Sequence, residues 1–369
     1  MIETRFFFNF LKKNNIDFFC GVPDSILKAS DDYLGNLKPN QHIITQNEGG
    51  AVATAIGYYL KTKKLAGVYL QNSGLGNAIN PIVSVADTKV YSIPMLLIIG
   101  WRGAPNDQKD EPQHQLQGKI TTKLLKLLNI KYCYLDDNKD FRKLKNLINK
   151  SKKKRKIVAC LVRKKKLTNQ KKIKTKIIKK TSNNSNIKRI DVLNFISKKD
   201  KNLKIFSTTG YTSRELHQIR ILNKNKNFDF YNVGGMGHTS SIALGYSIKS
   251  KNKNILCIDG DGSILMHMGA MTINGNFANK NFKHIVLNNY QHESVGGQKT
   301  SSKHINFKLI SKGCGYKKFY LSKNFSDFKK KYINFINSPG PSFFEIITLP
   351  GTIKNLSRPK NLKELIKKF

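Results

Sequence analysis

The run Ile255-Leu256-Cys257-Ile258-Asp259-Gly260-Asp261-Gly262-Ser263 decides how this chain folds. Its four leading apolar residues make a short buried strand, and the glycines turn the chain into a helix expected over 263–275. A polar turn at the carboxyl end of a buried parallel strand is where doubly wound sheets take their ligands. Gly260 and Gly262 permit close backbone approach, the helix opening at Ser263 offers free N–H groups to a phosphate, and Asp261 offers a hard oxygen to Mg2+. Alone, the triplet reads equally as a plain strand-to-helix connection. The next strand, His284 to Leu287, ends in Asn288-Asn289, so a carboxamide oxygen there can meet an ion held by Asp261. Two such oxygens, with diphosphate and water completing an octahedron, suit Mg2+.

Outward from this turn, short apolar runs alternate with helical-period segments, so the fold class is α/β with doubly wound parallel sheets. Expected strands in the first half are 17–20, 43–45, 68–71, 95–100 and 157–162, with helices over 48–61 and 76–86. The second half repeats the pattern with strands 204–208, 229–233, 255–258, 284–287 and 343–348, and helices 213–222, 238–248 and 263–275. Between them the composition collapses to Lys, Asn, Thr, Ser and Ile, which reads as a linker. Two domains, 1–163 and 189–369, are expected around a basic tether at 164–188, with no residue-level repeat between them.

At 369 residues the chain suits two domains, and 39% hydrophobic residues argue for globular material. The net charge of +43 raises the question of nucleic acid, but basic residues are scattered through nearly every segment and no recognised binding motif accompanies them. No nucleic-acid or membrane partner is expected, and a basic surface would still attract an anionic substrate. Cys20, Cys133, Cys160, Cys257 and Cys314 lie far apart without a CxxC pair, so they read as reduced structural thiols in a cytoplasmic protein. No signal-peptide pattern opens the sequence, and Val90 to Trp101 is too short to span a bilayer.

A GDG turn followed, after a helix and a strand, by an NN pair resembles the signature of thiamine-diphosphate enzymes. That resemblance implies thiamine diphosphate and Mg2+ as cofactors, with Asp261, Asn289 and the main chain of Gln291 as metal ligands; Asn288 stays an alternative. It also implies an acid in the other domain to activate the cofactor, and Glu48 in Thr45-Gln46-Asn47-Glu48-Gly49-Gly50 fits; by itself Glu48 reads as a first-turn helix acid. In Tyr231-Asn232-Val233-Gly234-Gly235-Met236, the places that touch and bend the cofactor in relatives fall on Gly234 and Met236. Gly210, Gly260, Gly262 and Ser263 complete the cofactor-binding set. Ser73 to Asn77 follows a strand, either as scaffold or with substrate contact.

Many thiamine-dependent decarboxylases carry a middle domain, and only the tether stands here. The chain is similar to the phosphonopyruvate decarboxylases, which lack that domain, through Gly21-Val22-Pro23-Asp24-Ser25, Asp110-Glu111-Pro112-Gln113-His114, Thr208 to Leu216, and His292-Glu293-Ser294-Val295-Gly296-Gly297-Gln298. The resemblance implies decarboxylation of 3-phosphonopyruvate to phosphonoacetaldehyde and CO2 in phosphonate (2-aminoethylphosphonate) biosynthesis. Sulfopyruvate decarboxylase, or another thiamine-dependent 2-oxoacid decarboxylase or carboligase, is the alternative. His114 and His292 are candidates for proton transfer or for holding the substrate's anionic groups, and Gln298 is a further substrate contact. Ser25 reads either as a substrate donor or as a helix cap, and Arg102 either as a phosphonate partner or as a solvated surface group. Tyr290 and Lys299 depart from the small residues expected there, which bears on where His292 sits. A homodimer or larger self-assembly is implied, with each site formed by Glu48 of one subunit and Asp261 of another.

Overall fold

A computed structural model describes residues 1–38, 40–108, 110–168, 185–201, 203–224, 229–250, 253–353, 355–359 and 364–365. The chain divides into two compact units, Met1–Ile178 and Lys179–Phe369.

The first unit is built on six parallel strands, in chain order Phe19–Gly21, His42–Ile44, Gly67–Gln71, Leu96–Gly100, Lys131–Tyr134 and Val158–Val162. Numbered that way, their spatial order is 2-1-3-4-6-5. The third, fourth and sixth strands are buried nearly throughout, as strands covered by helices on both faces must be. One apolar cluster lies on each face, one around Val68, Leu97 and Ala159 and the other around Phe8, Phe19 and Ile98.

The second unit also carries six parallel strands: Lys204–Ser207, Phe230–Tyr231, Ile255–Gly260, Phe282–Asn288, Lys318–Ser322 and Ser342–Ile347. Their spatial order is again 2-1-3-4-6-5. Two similar sheets, invisible as a repeat in the residues, are therefore identical in connection.

Several elements differ from their sequence-based expectations. The fifth strand of each sheet, Lys131–Tyr134 and Lys318–Ser322, is not among the expected strands; it sits at an edge, where a single position is buried. The helix expected over 263–275 is two helices, Asp261–Met266 and Ala270–Phe277, interrupted at His267 (φ −135°) with Gly269 opening the second. The expected tether is folded at both ends. Leu167–Thr168 pairs in parallel with Ile2–Glu3, and Ser185 Oγ donates to the Ile347 carbonyl (2.6 Å); the tether's remaining 169–184 lie outside the described residues. Among the described residues no helix is long and apolar enough to cross a membrane. All five cysteines are free thiols.

Candidate active site

In both units the candidate residues follow the carboxyl ends of the first four strands. In the second unit, Gly210 follows the first, Gly234 and Met236 the second, Asp261 the third and Asn289 the fourth. In the first unit Ser25, Glu48, Asn77 and Arg102 occupy the corresponding places.

Asp261 opens its helix with a carboxylate 2% exposed. Its Oδ2 accepts hydrogen bonds from the Thr300 and Ser302 hydroxyls, the latter at 2.8 Å. Burial pushes the carboxyl up to about 6, against the pull of these hydroxyls and of the Gly262 N–H. It makes no ion pair among the described residues. A buried carboxylate without a cationic side chain fits a divalent ion, which would supply the missing positive charge.

The Asn288-Asn289 pair is asymmetric. The Asn288 oxygen accepts from the Tyr290 N–H (3.2 Å) and the Ser302 hydroxyl (3.0 Å), while its Nδ2 donates to Glu345 (2.8 Å). Among the described residues the Asn289 oxygen accepts from the Gln291 N–H (3.0 Å) alone, and its Nδ2 donates to Glu293 (3.0 Å). Asn289 is thus the carboxamide with a free oxygen lone pair. Tyr290 bridges the turn at φ 62°, and Gln291 and His292 then enter a short antiparallel ladder with Gln298 and Lys299.

That ladder sets His292 directly across from Gln298. A Cβ on Gly262 would lie 2.8 Å from the His292 ring and 3.4 Å from Met236 Cε, so glycine is required where these three residues meet. Burial lowers His292 to about 4, leaving a neutral imidazole at pH 7. Both polar atoms of the Gln298 carboxamide are buried without a protein partner. Gly260 has open space where a Cβ would stand, and Gly210 takes φ 91° at a helix start. The Ser263 hydroxyl is engaged inside the protein. It donates to Asp259 (3.0 Å), pairs with Thr208 Oγ1 (2.7 Å) and accepts from the Gly237 N–H (3.2 Å).

In the first unit, Asn47 caps the helix Glu48–Thr62 by accepting from the Gly50 N–H (2.8 Å), which places Glu48 in the first turn. Burial raises the Glu48 carboxyl, and a hydrogen bond from Asn77 Nδ2 (2.8 Å) opposes the rise. A side chain at Gly74 would collide with that carboxyl. Arg102 is neither free nor solvated. Its Nε and Nη2 grip Asp110 at 2.7 and 2.6 Å, and its Nη1 donates to Ser25 Oγ at 3.1 Å. Ser25 does not cap a helix: residues 25–27 form a bend, in which the buried Asp24 carboxylate accepts from the N–H groups of Ile26 (3.1 Å) and Leu27 (3.2 Å), and the next helical turn begins at Lys28. His114 is lowered to about 4 by burial and by Arg102, and its Nδ1 is buried without a partner.

Sequence reasoning assigned no role to Asp24, Asp110 or Glu293, although all three stand inside the quoted motifs. Their signal is a short acid beside a candidate polar group, which marks an orienting partner.

Residues 4–125 match the thiamine pyrophosphate enzyme N-terminal TPP binding domain, and residues 208–346 match its C-terminal TPP binding domain. A phosphonopyruvate decarboxylase of Streptomyces viridochromogenes is 29% identical over 361 residues, covering 92% of this chain and 87% of that one. A sulfopyruvate decarboxylase of Methanosarcina acetivorans is 25% identical, with 97% and 94% covered. The sulfopyruvate decarboxylase subunit beta of Methanocaldococcus jannaschii is 35% identical over 153 residues, 41% of this chain and 78% of that subunit. With both halves of its fold matched to the two cofactor domains of one family, the chain belongs to the thiamine pyrophosphate enzymes.

Proposed function

We propose that this enzyme decarboxylates 3-phosphonopyruvate to phosphonoacetaldehyde and CO2, in a pathway of phosphonate biosynthesis. The observation that carries the cofactor site is the buried, ion-pair-free Asp261 on the strand end next to Asn289. These two side chains and the Gln291 main chain would hold Mg2+, and the Mg2+ would hold the diphosphate at the glycine turn. Bound thiamine diphosphate would supply the electron sink that decarboxylation of a 2-oxoacid requires.

The chain's own residues do the rest. Glu48 keeps its proton to higher pH than an exposed glutamate, so it can give and recover one at its carboxyl, with Asn77 fixing the group. His114 and His292 are neutral at pH 7 and can each donate or accept at one ring nitrogen. Gln298 offers an unclaimed amide to a polar ligand, and Met236 with Gly262 shapes the wall beside it. Asp110 neutralises much of the Arg102 charge, so Arg102 and Ser25 serve a bound anion as oriented donors rather than as an isolated cation.

The phosphonate assignment is supported by the higher identity, over nearly the whole chain, of the phosphonopyruvate decarboxylase (29%) than of the sulfopyruvate decarboxylase (25%). Sulfopyruvate is the second reading, favoured by the higher identity of the shorter subunit-beta relative. Measuring CO2 and aldehyde from each acid, with and without added thiamine diphosphate and Mg2+, separates them. Faster turnover of sulfopyruvate would overturn the assignment. We further propose that the chain works as a homo-oligomer in a reducing cytoplasm, where its free thiols stay reduced.

A further inference from the structure

Glu293 lies outside the candidate ligand set, yet the cation turn is fastened to it. Its Oε2 accepts from Asn289 Nδ2 (3.0 Å) and from Arg189 Nη1 (2.7 Å), and its Oε1 accepts from the Gly351 N–H. Arg189 is 6% exposed and also grips Glu215 at 2.8 and 3.1 Å, while its Nη2 donates to the Gly351 carbonyl at 3.0 Å. Thr352 Oγ1 closes the ring by donating to Glu215 at 2.7 Å.

The chemistry of this ring is one-sided. A primary carboxamide can face its surroundings with either oxygen or nitrogen, and the two orientations have nearly the same shape. A carboxylate accepts hydrogen bonds and donates none, and the Glu293 oxygens already face two donors, the Arg189 guanidinium and the Gly351 N–H. Nδ2 of Asn289 must therefore point at Glu293, which leaves Oδ1 on the opposite side, where among the described residues only the Gln291 N–H meets it. Asn288 is held in a similar way by Glu345, but its oxygen is already taken twice.

We infer that Glu293, braced by Arg189 and by the Gly351–Thr352 segment, is a positioning residue that locks the Asn289 carboxamide with its oxygen towards the bound cation. The inference rests on the proposed Mg2+-thiamine diphosphate site. It also gives the 351–352 segment a task, because that segment and the start of the helix Arg189–Lys199 share one clamp with the cation turn.

The test is calorimetric titration of cofactor-stripped full-length protein with Mg2+ at fixed thiamine diphosphate, comparing wild type with Glu293→Gln. A glutamine keeps the size but brings an NH2 that in either orientation meets a donor, the guanidinium or the Gly351 N–H, so the clamp on Asn289 is loosened. The expected result is Mg2+ binding weaker by about tenfold, the lower end for loss of a residue that orients a metal ligand. The melting temperature of the stripped protein should stay near wild type, and excess Mg2+ should restore kcat. Unchanged Mg2+ binding in the variant overturns the inference. So does a loss that tracks a lowered melting temperature and that excess Mg2+ does not recover. Wild type that binds no Mg2+ with thiamine diphosphate overturns the functional reading itself, and the inference with it. If Glu293→Gln does not fold, Glu293→Asp is read on the same scale: weakened binding recovered by Mg2+ supports the lock, and unchanged binding overturns it.

Discussion

Glu48 shows how much one side chain depends on its neighbours' size and polarity. Gly74 leaves room for its carboxyl, Asn77 anchors one oxygen, and burial raises the carboxyl above its ordinary range. Glu48→Gln preserves that volume and removes the exchangeable proton. Turnover of phosphonopyruvate should fall by at least about 100-fold, the lower range for loss of a general acid-base group, while calorimetry should show Mg2+-thiamine diphosphate binding largely intact. Wild-type turnover in that variant would sink the assignment. His42 gives a pH-linked prediction away from the site. Burial lowers it to about 4 beside the Tyr69 hydroxyl (2.8 Å), below the ordinary value of 6.5. Between pH 6.5 and about 4 the unfolded chain takes up a proton on this ring and the folded chain does not, so its contribution is fully present above 6.5 and is lost as pH falls. His42→Gln should flatten the decline of melting temperature across that window, as read by circular dichroism; an unchanged slope would refute the linkage.

Whole elements are tied by a few buried charges. The helix Tyr211–Leu222 is joined to the start of the second strand of its sheet by Arg220, 1% exposed, which grips Asp229 at 2.8 and 3.1 Å. Arg220→Met would leave that carboxylate buried without its guanidinium, and chemical denaturation should register a loss of about 3–5 kcal/mol. Adding Asp229→Leu should recover most of it, since an apolar pair removes the stranded charge. At this scale the sequence was most readable where information is local. Strand, glycine turn and helix follow within nine residues at 255–263, so Asp261 and its place in the fold could be read directly. Arg189 and Glu293 are 104 residues apart, and nothing in either neighbourhood announces the pairing. The edge strand Lys131–Tyr134 was missed for a different reason: with a single buried side chain, Cys133, and a lysine and two tyrosines partly in solvent, it lacks the aliphatic run of a central strand. Arg102 was visible as a candidate, but its occupation by Asp110 depends on a loop closing back on the strand end, which composition does not encode.

For the molecule as a whole, Glu48 and Asp261 belong to different compact units. Under the proposed self-assembly, inactive Glu48→Gln and Asp261→Asn chains should rescue each other when mixed, unfolded together and refolded. Random pairing into dimers would return about a quarter of wild-type turnover, because half the dimers are mixed and each mixed dimer holds one intact site. Absence of rescue would mean that both carboxylates act within a single chain. The shared 2-1-3-4-6-5 order has a consequence of its own. Each half is a contiguous frame with its own four strand ends. Change can therefore accumulate in the turns after those strands, in either half, while the strand order that positions them is inherited intact.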